Sequence, residues 1–217
     1  MPATVAIIGA GPLGRWLALS ATRIRVPSDR SSSLGWQAGF RVYLEDVMPA
    51  NLHHAQEAFR AVLGPDAFRE TAGAVPNVAF VSTIEEAVRN ADLVIDCVPD
   101  ELESKLEILW LLDRMAPPRT VLATPTTRLS ITDLANCTYR PAKCIAIAAE
   151  AAALTGKSEA ANLAAGAANS QAAAAPEILL RTTTQTAPET VLLLDHFWRQ
   201  LGFTPRFELD PAEKPSN

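Results

Sequence analysis

The sequence predicts an α/β fold built on a doubly wound, mostly parallel sheet of about eight strands with helices on both faces. Short apolar segments rich in β-branched residues alternate along the chain with longer segments of helical periodicity. The first of the short segments, Val5–Ile8, is continuously apolar, as expected of a parallel strand that is buried on both faces. The strand–helix–strand rhythm then repeats in a second half, which is typical of a doubly wound sheet.

Eight segments are predicted as strands because each is short, mostly apolar and followed by turn-forming residues. In chain order they are Val5–Ile8, Phe40–Glu45, Val78–Val81, Ala91–Val98, Val121–Thr124, Cys144–Ala149, Ile178–Arg181 and Thr204–Leu209. A chain of 217 residues is long enough for one such domain. We therefore predict a single domain over residues 1–209 and a frayed tail over residues 210–217.

The helices are predicted from apolar residues at helical spacing and from capping residues. Ser82 precedes Glu85 by three residues, and Ser130 precedes Asp133 by three, which is the spacing of a capping box at a helix start. The predicted helices are Leu13–Ile24, Pro49–Leu63, a helix from Ser82 to about Asn90, Glu101–Met115, a short helix from Ser130, and Glu189–Leu201.

Two segments interrupt this pattern. Residues 25–36 are rich in turn formers and lack periodicity, so we expect an inserted surface loop. Residues 150–176 are rich in alanine, which favours helix, so we expect a largely helical insertion there.

Composition excludes several classes of function. The formal net charge of −5 gives no basic surface for nucleic acid or for an anionic membrane. The three cysteines, Cys97, Cys137 and Cys144, lack metal-ligand spacing, so we expect reduced thiols and no metal site. No apolar run approaches the roughly 20 residues that span a bilayer, and the amino end has no export signal. We therefore expect a cytoplasmic protein without nucleic-acid or membrane partners.

The turn after the first strand has the pattern Gly9-x-Gly11-x-x-Gly14. In such a turn, Gly9 allows the chain to reverse, Gly11 allows a pyrophosphate to approach the backbone, and Gly14 allows close helix–strand packing. Pro12 suits the first position of a helix, because a missing N–H costs nothing there. The helix start then offers N–H groups to phosphate oxygens. This strand–turn–helix context predicts a dinucleotide-binding site.

Three further residues fit such a site. Asp46 ends the second strand, where a carboxylate binds the adenosine ribose and repels a 2′-phosphate, so NAD is favoured over NADP. The fourth strand ends at Val98, where the nicotinamide ribose would lie. Lys105 could reach that ribose or, equally well, pair with Glu101 on the helix surface.

Taken in order, these segments resemble the NAD-binding domain of the 3-hydroxyacyl-CoA dehydrogenases. Residues 9–14 match the family's G-x-G-x-M-G turn, and residues 91–105 resemble its A-D-L-V-I-E-A-V-x-E-x-x-x-x-K segment. Residues 122–132 resemble its A-S-N-T-S-S-L-x-I-T stretch, and residues 189–205 resemble the helix and strand that close the family's nucleotide domain. The resemblance implies a Rossmann fold with NAD as the cofactor.

The resemblance also implies roles for individual residues. The glycine turn cradles the pyrophosphate, Asp46 holds the adenosine ribose, and Asp100 and Lys105 face the nicotinamide ribose. The expected cofactor-binding residues are Gly9, Gly11, Pro12, Leu13, Gly14, Asp46, Val98, Asp100 and Lys105.

The chain departs from the family at its catalytic positions. The family's catalytic histidine lies in an H-F-F-N-P motif, and Ala148, which cannot accept a proton, stands at the matching position. The acidic partner of that histidine has no secure equivalent, although Glu177 is nearest in the sequence. Thr127 replaces a substrate-binding serine but keeps a hydroxyl, whereas Pro125 replaces an asparagine. Trp16 stands where the family has glycine and could crowd the phosphate turn.

Three functions therefore stay open. The first is an NAD(H)-binding protein that is degenerate for hydroxyacyl-CoA oxidation and acts as a redox sensor or as a partner subunit of another chain. A homo-oligomer is a further possible assembly. The second is an NAD-dependent oxidoreductase acting on a hydroxyacyl thioester or hydroxy acid, with Thr127 and Glu150 as relocated catalytic residues. The third is an interaction module in which Trp16 has displaced the nucleotide. The family's helical carboxyl-terminal domain has no counterpart in residues 210–217, which favours the first.

Overall fold

The computed structural model describes residues 3–23, 39–64, 77–149 and 175–213. Its strands are β1 (Ala3–Ile8), β2 (Phe40–Glu45), β3 (Val78–Val81), β4 (Leu93–Asp96), β5 (Val121–Pro125), β6 (Cys144–Ile147), β7 (Glu177–Thr182) and β8 (Thr204–Leu209). Its α-helices are α1 (Pro12–Thr22), α2 (Pro49–Leu63), α3 (Ile84–Val88), α4 (Leu102–Met115), α5 (Ile131–Asn136) and α6 (Pro188–Gln200). The predicted class, a mostly parallel, Rossmann-like α/β sheet of eight strands, is confirmed.

The chain divides into two compact units. Unit 1 comprises Met1–Val98 and Leu111–Thr120, and unit 2 comprises Pro99–Trp110 and Val121–Asn217. The strands of unit 1 lie in the order β3-β2-β1-β4 and are all parallel. In unit 2 the order is β5-β6-β7-β8, where β6 is parallel to β5 and antiparallel to β7, and β8 is parallel to β7.

The core of unit 1 follows from its apolar pattern. The middle of β1 is inaccessible to solvent, as its continuous apolar sequence predicts. Helix α1 covers the sheet with Leu17, Ala18 and Ala21, which lie on one face at helical spacing. Phe59 of α2 packs edge-to-face on Phe80 of β3, with ring centroids 5.3 Å apart. The turn between β1 and α1 therefore connects two elements that are both packed in the core of unit 1.

The core of unit 2 is built around its last helix. Phe197 and Trp198 of α6 are fully buried. The ring of Trp198 also packs edge-to-face on Phe203, with centroids 5.4 Å apart. Because aromatic pairs of this geometry add to the gain from burial, they fix α6 beside β8.

All six predicted helices are present, but α1 and α3 are shorter than predicted and one predicted cap differs. The Ser130 cap is confirmed, since Ser130 Oγ accepts the Asp133 N–H at 3.2 Å. The Ser82 cap is wrong: Thr83 is the N-cap of α3, and its Oγ1 accepts the Glu86 N–H at 3.4 Å. The sequence offers two adjacent hydroxyls, and the extended backbone of Thr83 (φ −133°, ψ 138°) selects the second.

The predicted frayed tail is wrong at its first residues. Asp210 is only 2% exposed. Its Oδ2 accepts hydrogen bonds from Ser130 Oγ and the Thr132 N–H, both at 2.8 Å. A short 3₁₀ helix, Pro211–Glu213, follows it. These contacts join the end of β8 to the start of α5, and such long-range partners are invisible to local sequence patterns.

Some sequence predictions cannot be placed in the fold. The loop at residues 25–36 and nearly all of the alanine-rich segment, residues 150–174, lie outside the described residues. No helix within the described ranges is both long enough and apolar enough to cross a membrane.

Candidate functional site

The turn between β1 and α1 is held in place by both neighbouring strands. The Gly9 N–H donates to the Glu45 carbonyl at 2.8 Å, and the Cys97 N–H donates to the Ile8 carbonyl at 2.7 Å. Gly9 itself has φ of 100°, a backbone conformation that favours glycine. The end of β1 is therefore fixed by the ends of β2 and β4, and the chain reverses at Gly9 as the motif predicts.

The other two glycines of the motif have different reasons to lack a side chain. A Cβ atom on Gly14 would lie 1.8 Å from the Gly9 carbonyl oxygen, so the packing of α1 on the turn excludes one. A Cβ on Gly11 would meet nothing within 4 Å among the described atoms. The backbone of Gly11, with φ of −65°, would also accept a side chain. The fold requires glycine at position 14, whereas at position 11 it leaves open space.

The start of α1 faces that open space. Gly11 is the N-cap residue and has no side chain to cap the helix. Pro12 occupies the first turn, which contains no acidic residue. N–H groups of a first helical turn lack partners within the helix, and together with the helix dipole they attract anions. Trp16 does not fill the space at Gly11, since no side-chain atom lies within 4 Å of the Cβ position. The turn therefore fits a phosphate group.

Asp46 follows β2 directly and is only 7% exposed. Its Oδ2 accepts the Ala10 N–H at 2.8 Å and Asn51 Nδ2 at 3.0 Å, while its Oδ1 accepts the Met48 N–H at 2.8 Å. Such donors offset the cost of burying a carboxylate. Asp46 thus connects the glycine turn, the end of β2 and the start of α2.

Asn51 is a residue of this cluster that sequence reasoning missed. It lies in the first turn of α2, five residues after Asp46. A polar amide in the first turn of the helix that follows a strand-end acid is the signal that could have indicated it.

Glu45, beside Asp46, is a second group that the sequence did not single out. Burial raises the pKa of Glu45 to about 7, and the Asp46 carboxylate acts in the same direction. A carboxyl group of this kind is largely protonated at mildly acidic pH, which limits the negative charge at the end of β2.

Unit 2 brings Asp100 and Thr127 together. Asp100 Oδ2 accepts the Thr127 N–H at 3.1 Å. Thr126 Oγ1 accepts the N–H groups of Arg128 at 3.3 Å and Leu129 at 3.0 Å, so the turn after β5 is held by side chains. Lys105, in the first turn of α4, is fully buried. The alternative of a surface lysine is therefore wrong, because its side chain does not reach solvent.

The remaining predicted cofactor residues lie where the motif places them. Val98 follows β4 in unit 1 and is half-buried, and Leu13 is buried in the first turn of α1. His53 and His54 are exposed on α2, and His196 lies on α6, so none ends a strand. Glu150 lies outside the described residues.

Ala148 lies immediately after β6, and its N–H donates to the Leu179 carbonyl at 2.8 Å. Ala148 and Glu177 line the same pocket, together with Arg206. Glu177 is exposed, and Arg206 is paired with Glu208 at 2.5 Å. The described residues that line this pocket include a carboxylate and a guanidinium but no imidazole. The structure therefore places Glu177 and Ala148 at the same pocket.

Comparison with known proteins decides the family. Residues 4–148 match the family model described as the NAD binding domain of 3-hydroxyacyl-CoA dehydrogenase. The chain belongs to this family. Its cofactor is therefore NAD, and the open, uncapped start of α1 fits the pyrophosphate of that cofactor. The family and the cofactor predicted from the sequence are both confirmed.

Individual relatives are dehydrogenases. Over 147 residues the chain is 30% identical to a probable 3-hydroxybutyryl-CoA dehydrogenase of Bacillus subtilis, covering 65% of this chain and 46% of that protein. Over 145 residues it is 33% identical to an L-carnitine dehydrogenase of Burkholderia mallei, covering 65% of this chain and 40% of that protein. It thus spans less than half the length of these two curated relatives.

A solved structure agrees at the level of the fold. An (S)-3-hydroxybutyryl-CoA dehydrogenase from Ralstonia eutropha is similar with a TM-score of 0.70 at 20% identity. The similarity covers 100% of this chain and 67% of that chain.

Proposed function

We propose that the chain binds NAD(H) with the pyrophosphate at the start of α1 and the adenosine ribose at Asp46. The observation that carries this proposal is the open space at Gly11 in front of a helix start without a cap. Backbone N–H groups there supply donors for phosphate oxygens. By the family resemblance, Val98 and Asp100 contact the nicotinamide end of the cofactor. The resemblance assigns Lys105 the same role, but its fully buried side chain must become accessible before it can contact the cofactor.

We further propose that the chain does not oxidise hydroxyacyl-CoA by the chemistry of its family. NAD, when bound, accepts a hydride, and a protein base must take the hydroxyl proton at the same time. Ala148 has no group that can do so, and among the described residues that line its pocket the titratable groups, Glu177 and Arg206, are solvent-exposed. The loss of a general base lowers the rate by about 10²–10⁴-fold. A chain that binds NAD(H) without turnover could act as a sensor of redox state or as a partner subunit of an enzyme, either alone or as a homo-oligomer.

The alternative, an active oxidoreductase with relocated catalytic groups, has one structural observation in its favour. Thr127 keeps a hydroxyl on a turn that Asp100 holds by a hydrogen bond of 3.1 Å. Glu150 completes this alternative from the sequence alone, as the candidate base.

The test is turnover followed by NADH absorbance with the full chain, NAD and 3-hydroxybutyryl-CoA or short hydroxy acids. We expect no NADH formation above that of a sample without protein. Glu150→Gln and Thr127→Ala are measured in parallel, with Glu86→Gln as a control on an exposed helical position. Turnover that Glu150→Gln or Thr127→Ala abolishes, while Glu86→Gln retains it, would replace our proposal with the relocated active site.

A further inference from the structure

The Asp46 carboxylate has little hydrogen-bonding capacity left for a ligand. A carboxylate offers about four lone-pair sites, two on each oxygen. Ala10 and Asn51 donate to Oδ2, and Met48 donates to Oδ1. One acceptor site therefore stays free, on Oδ1. A ribose, however, presents two neighbouring hydroxyl donors, so Asp46 in this arrangement can accept only one of them.

Asn51 carries a second acceptor beside Asp46. An ionised carboxylate only accepts hydrogen bonds, so the Asn51 amide must turn its nitrogen, Nδ2, toward Asp46, as the distance of 3.0 Å shows. The amide oxygen then points away from Asp46. No hydrogen bond within the described part of the chain ends on that oxygen. Asn51 is half-buried rather than sealed in the core, so a ligand can reach it.

We propose that Asn51 is a specificity-determining residue for the adenosine ribose: its amide oxygen accepts one ribose hydroxyl and Asp46 Oδ1 accepts the other. This inference rests on the proposed binding of NAD(H). The hydrogen bond between Asn51 and Asp46 orients both acceptors. Because the amide is neutral, the second acceptor adds no negative charge near a pyrophosphate that is itself anionic. A purely structural Asn51, which only holds Asp46 in place, is the competing explanation.

Binding of NADH and of its 2′-deoxyadenosine and 3′-deoxyadenosine analogues separates these explanations. The full chain is titrated with each ligand in a calorimeter, as wild type and as Asn51→Leu. Any effect that acts through Asp46 alone lowers the affinity for all ligands that keep the Asp46-bound hydroxyl. One analogue lacks the hydroxyl that donates to the Asn51 amide oxygen. For that analogue, Asn51→Leu removes no direct hydrogen bond to the ligand.

We expect Asn51→Leu to weaken NADH binding about fivefold to tenfold, the usual worth of one hydrogen bond. The loss should be smaller by about fivefold for the analogue that lacks the Asn51-bound hydroxyl. Asp46→Ala identifies the other analogue, which lacks the Asp46-bound hydroxyl and should be the one that Asp46→Ala affects least. A purely structural Asn51 would spare that same analogue. His54→Leu, on the exposed face of the same helix, is the control and should leave all three affinities unchanged. Asn51→Ala repeats the measurement if the leucine variant unfolds.

Equal losses for all three ligands, or the smaller loss falling on the analogue that Asp46→Ala also affects least, would overturn the inference while leaving the proposed function intact. Wild-type protein that fails to bind NADH would overturn the proposed function, and this inference with it.

Discussion

The turn after β1 and the turn after β6 differ in what the fold requires of them. At the first turn, Gly9 and Gly14 are held by backbone hydrogen bonds and close packing, and Asp46 is fixed by three donors. At the second turn, the Ala148 N–H donates one backbone hydrogen bond to the Leu179 carbonyl. Nucleotide binding uses groups that also hold the fold together. Under the proposed function, the side chain at Ala148 is not needed for the fold, so a base there could be replaced without cost to stability.

The largest effect should come from Gly14→Ala. The new Cβ would lie 1.8 Å from the Gly9 carbonyl oxygen, so either α1 or the turn must move. We expect a loss of more than about 3 kcal/mol in the free energy of unfolding, because overpacking against backbone cannot relax by a side-chain rotation. Chemical denaturation measures it. A variant as stable as wild type would mean that the turn after β1 tolerates an added side-chain atom without loss of stability.

Glu45→Gln should show how much the ionisation of the buried Glu45 carboxyl destabilises unit 1. Burial and the Asp46 carboxylate raise the pKa of Glu45 from 4.5 to about 7, so the folded chain holds a proton that the unfolded chain releases. Wild-type stability should therefore fall as pH rises from about 4.5 to about 7 and level off above that.

Glutamine removes this titration. Above pH 7 it should stabilise the protein by about 2–3 kcal/mol, with no difference at pH 4.5. Urea unfolding across this pH range is the measurement, with the exposed Glu86→Gln as the control. A constant difference at all pH values would contradict the assigned titration.

Asp210→Asn tests whether buried hydrogen bonds stabilise unit 2 as they stabilise the turn after β1 in unit 1. Burial alone would raise the pKa of Asp210, but hydrogen bonds from Thr132, Ser130 and Ala212 outweigh it and hold the pKa below its ordinary value. The stabilising effect is therefore complete above the ordinary pKa of 3.8 and is lost as pH falls through the lowered folded value.

At neutral pH the substitution should cost about 1–2 kcal/mol, since a charged acceptor becomes neutral. Thermal unfolding of Asp210→Asn and of the exposed control Asp133→Asn measures the difference. If the two variants are equally stable at pH 7, Asp210 is not the anchor that its contacts indicate.

Local features of the sequence predicted most of the fold. The bounds of β2, α2 and β8 are those expected, because continuous apolar segments and helical periodicity are local properties. Whether Ser82 or Thr83 caps α3 depends on backbone angles, which the sequence pattern does not determine. The burial of Asp210 depends on Ser130, which is 80 residues away in the chain.

The candidate site divides in the same way. The glycine motif and Asp46 were predictable because each occupies a fixed place relative to a strand. Asn51 and the raised pKa of Glu45 depend on which side chains meet at the end of β2. Such contacts are set by packing; the sequence places Asn51 in the first turn after a strand-end acid, but it does not show that the two side chains meet.

The most direct test of the account is a calorimetric titration of wild type and Gly11→Ala with NADH, together with the unfolding free energy of each. Wild type should bind. Gly11→Ala should keep its stability to within about 1 kcal/mol, because its Cβ meets no described atom and only the N-cap preference changes. Its affinity for NADH should fall by more than about tenfold, since the Cβ occupies the approach of the pyrophosphate. A wild type that does not bind at about 1 mM NADH, or a variant that binds equally well, would contradict the account.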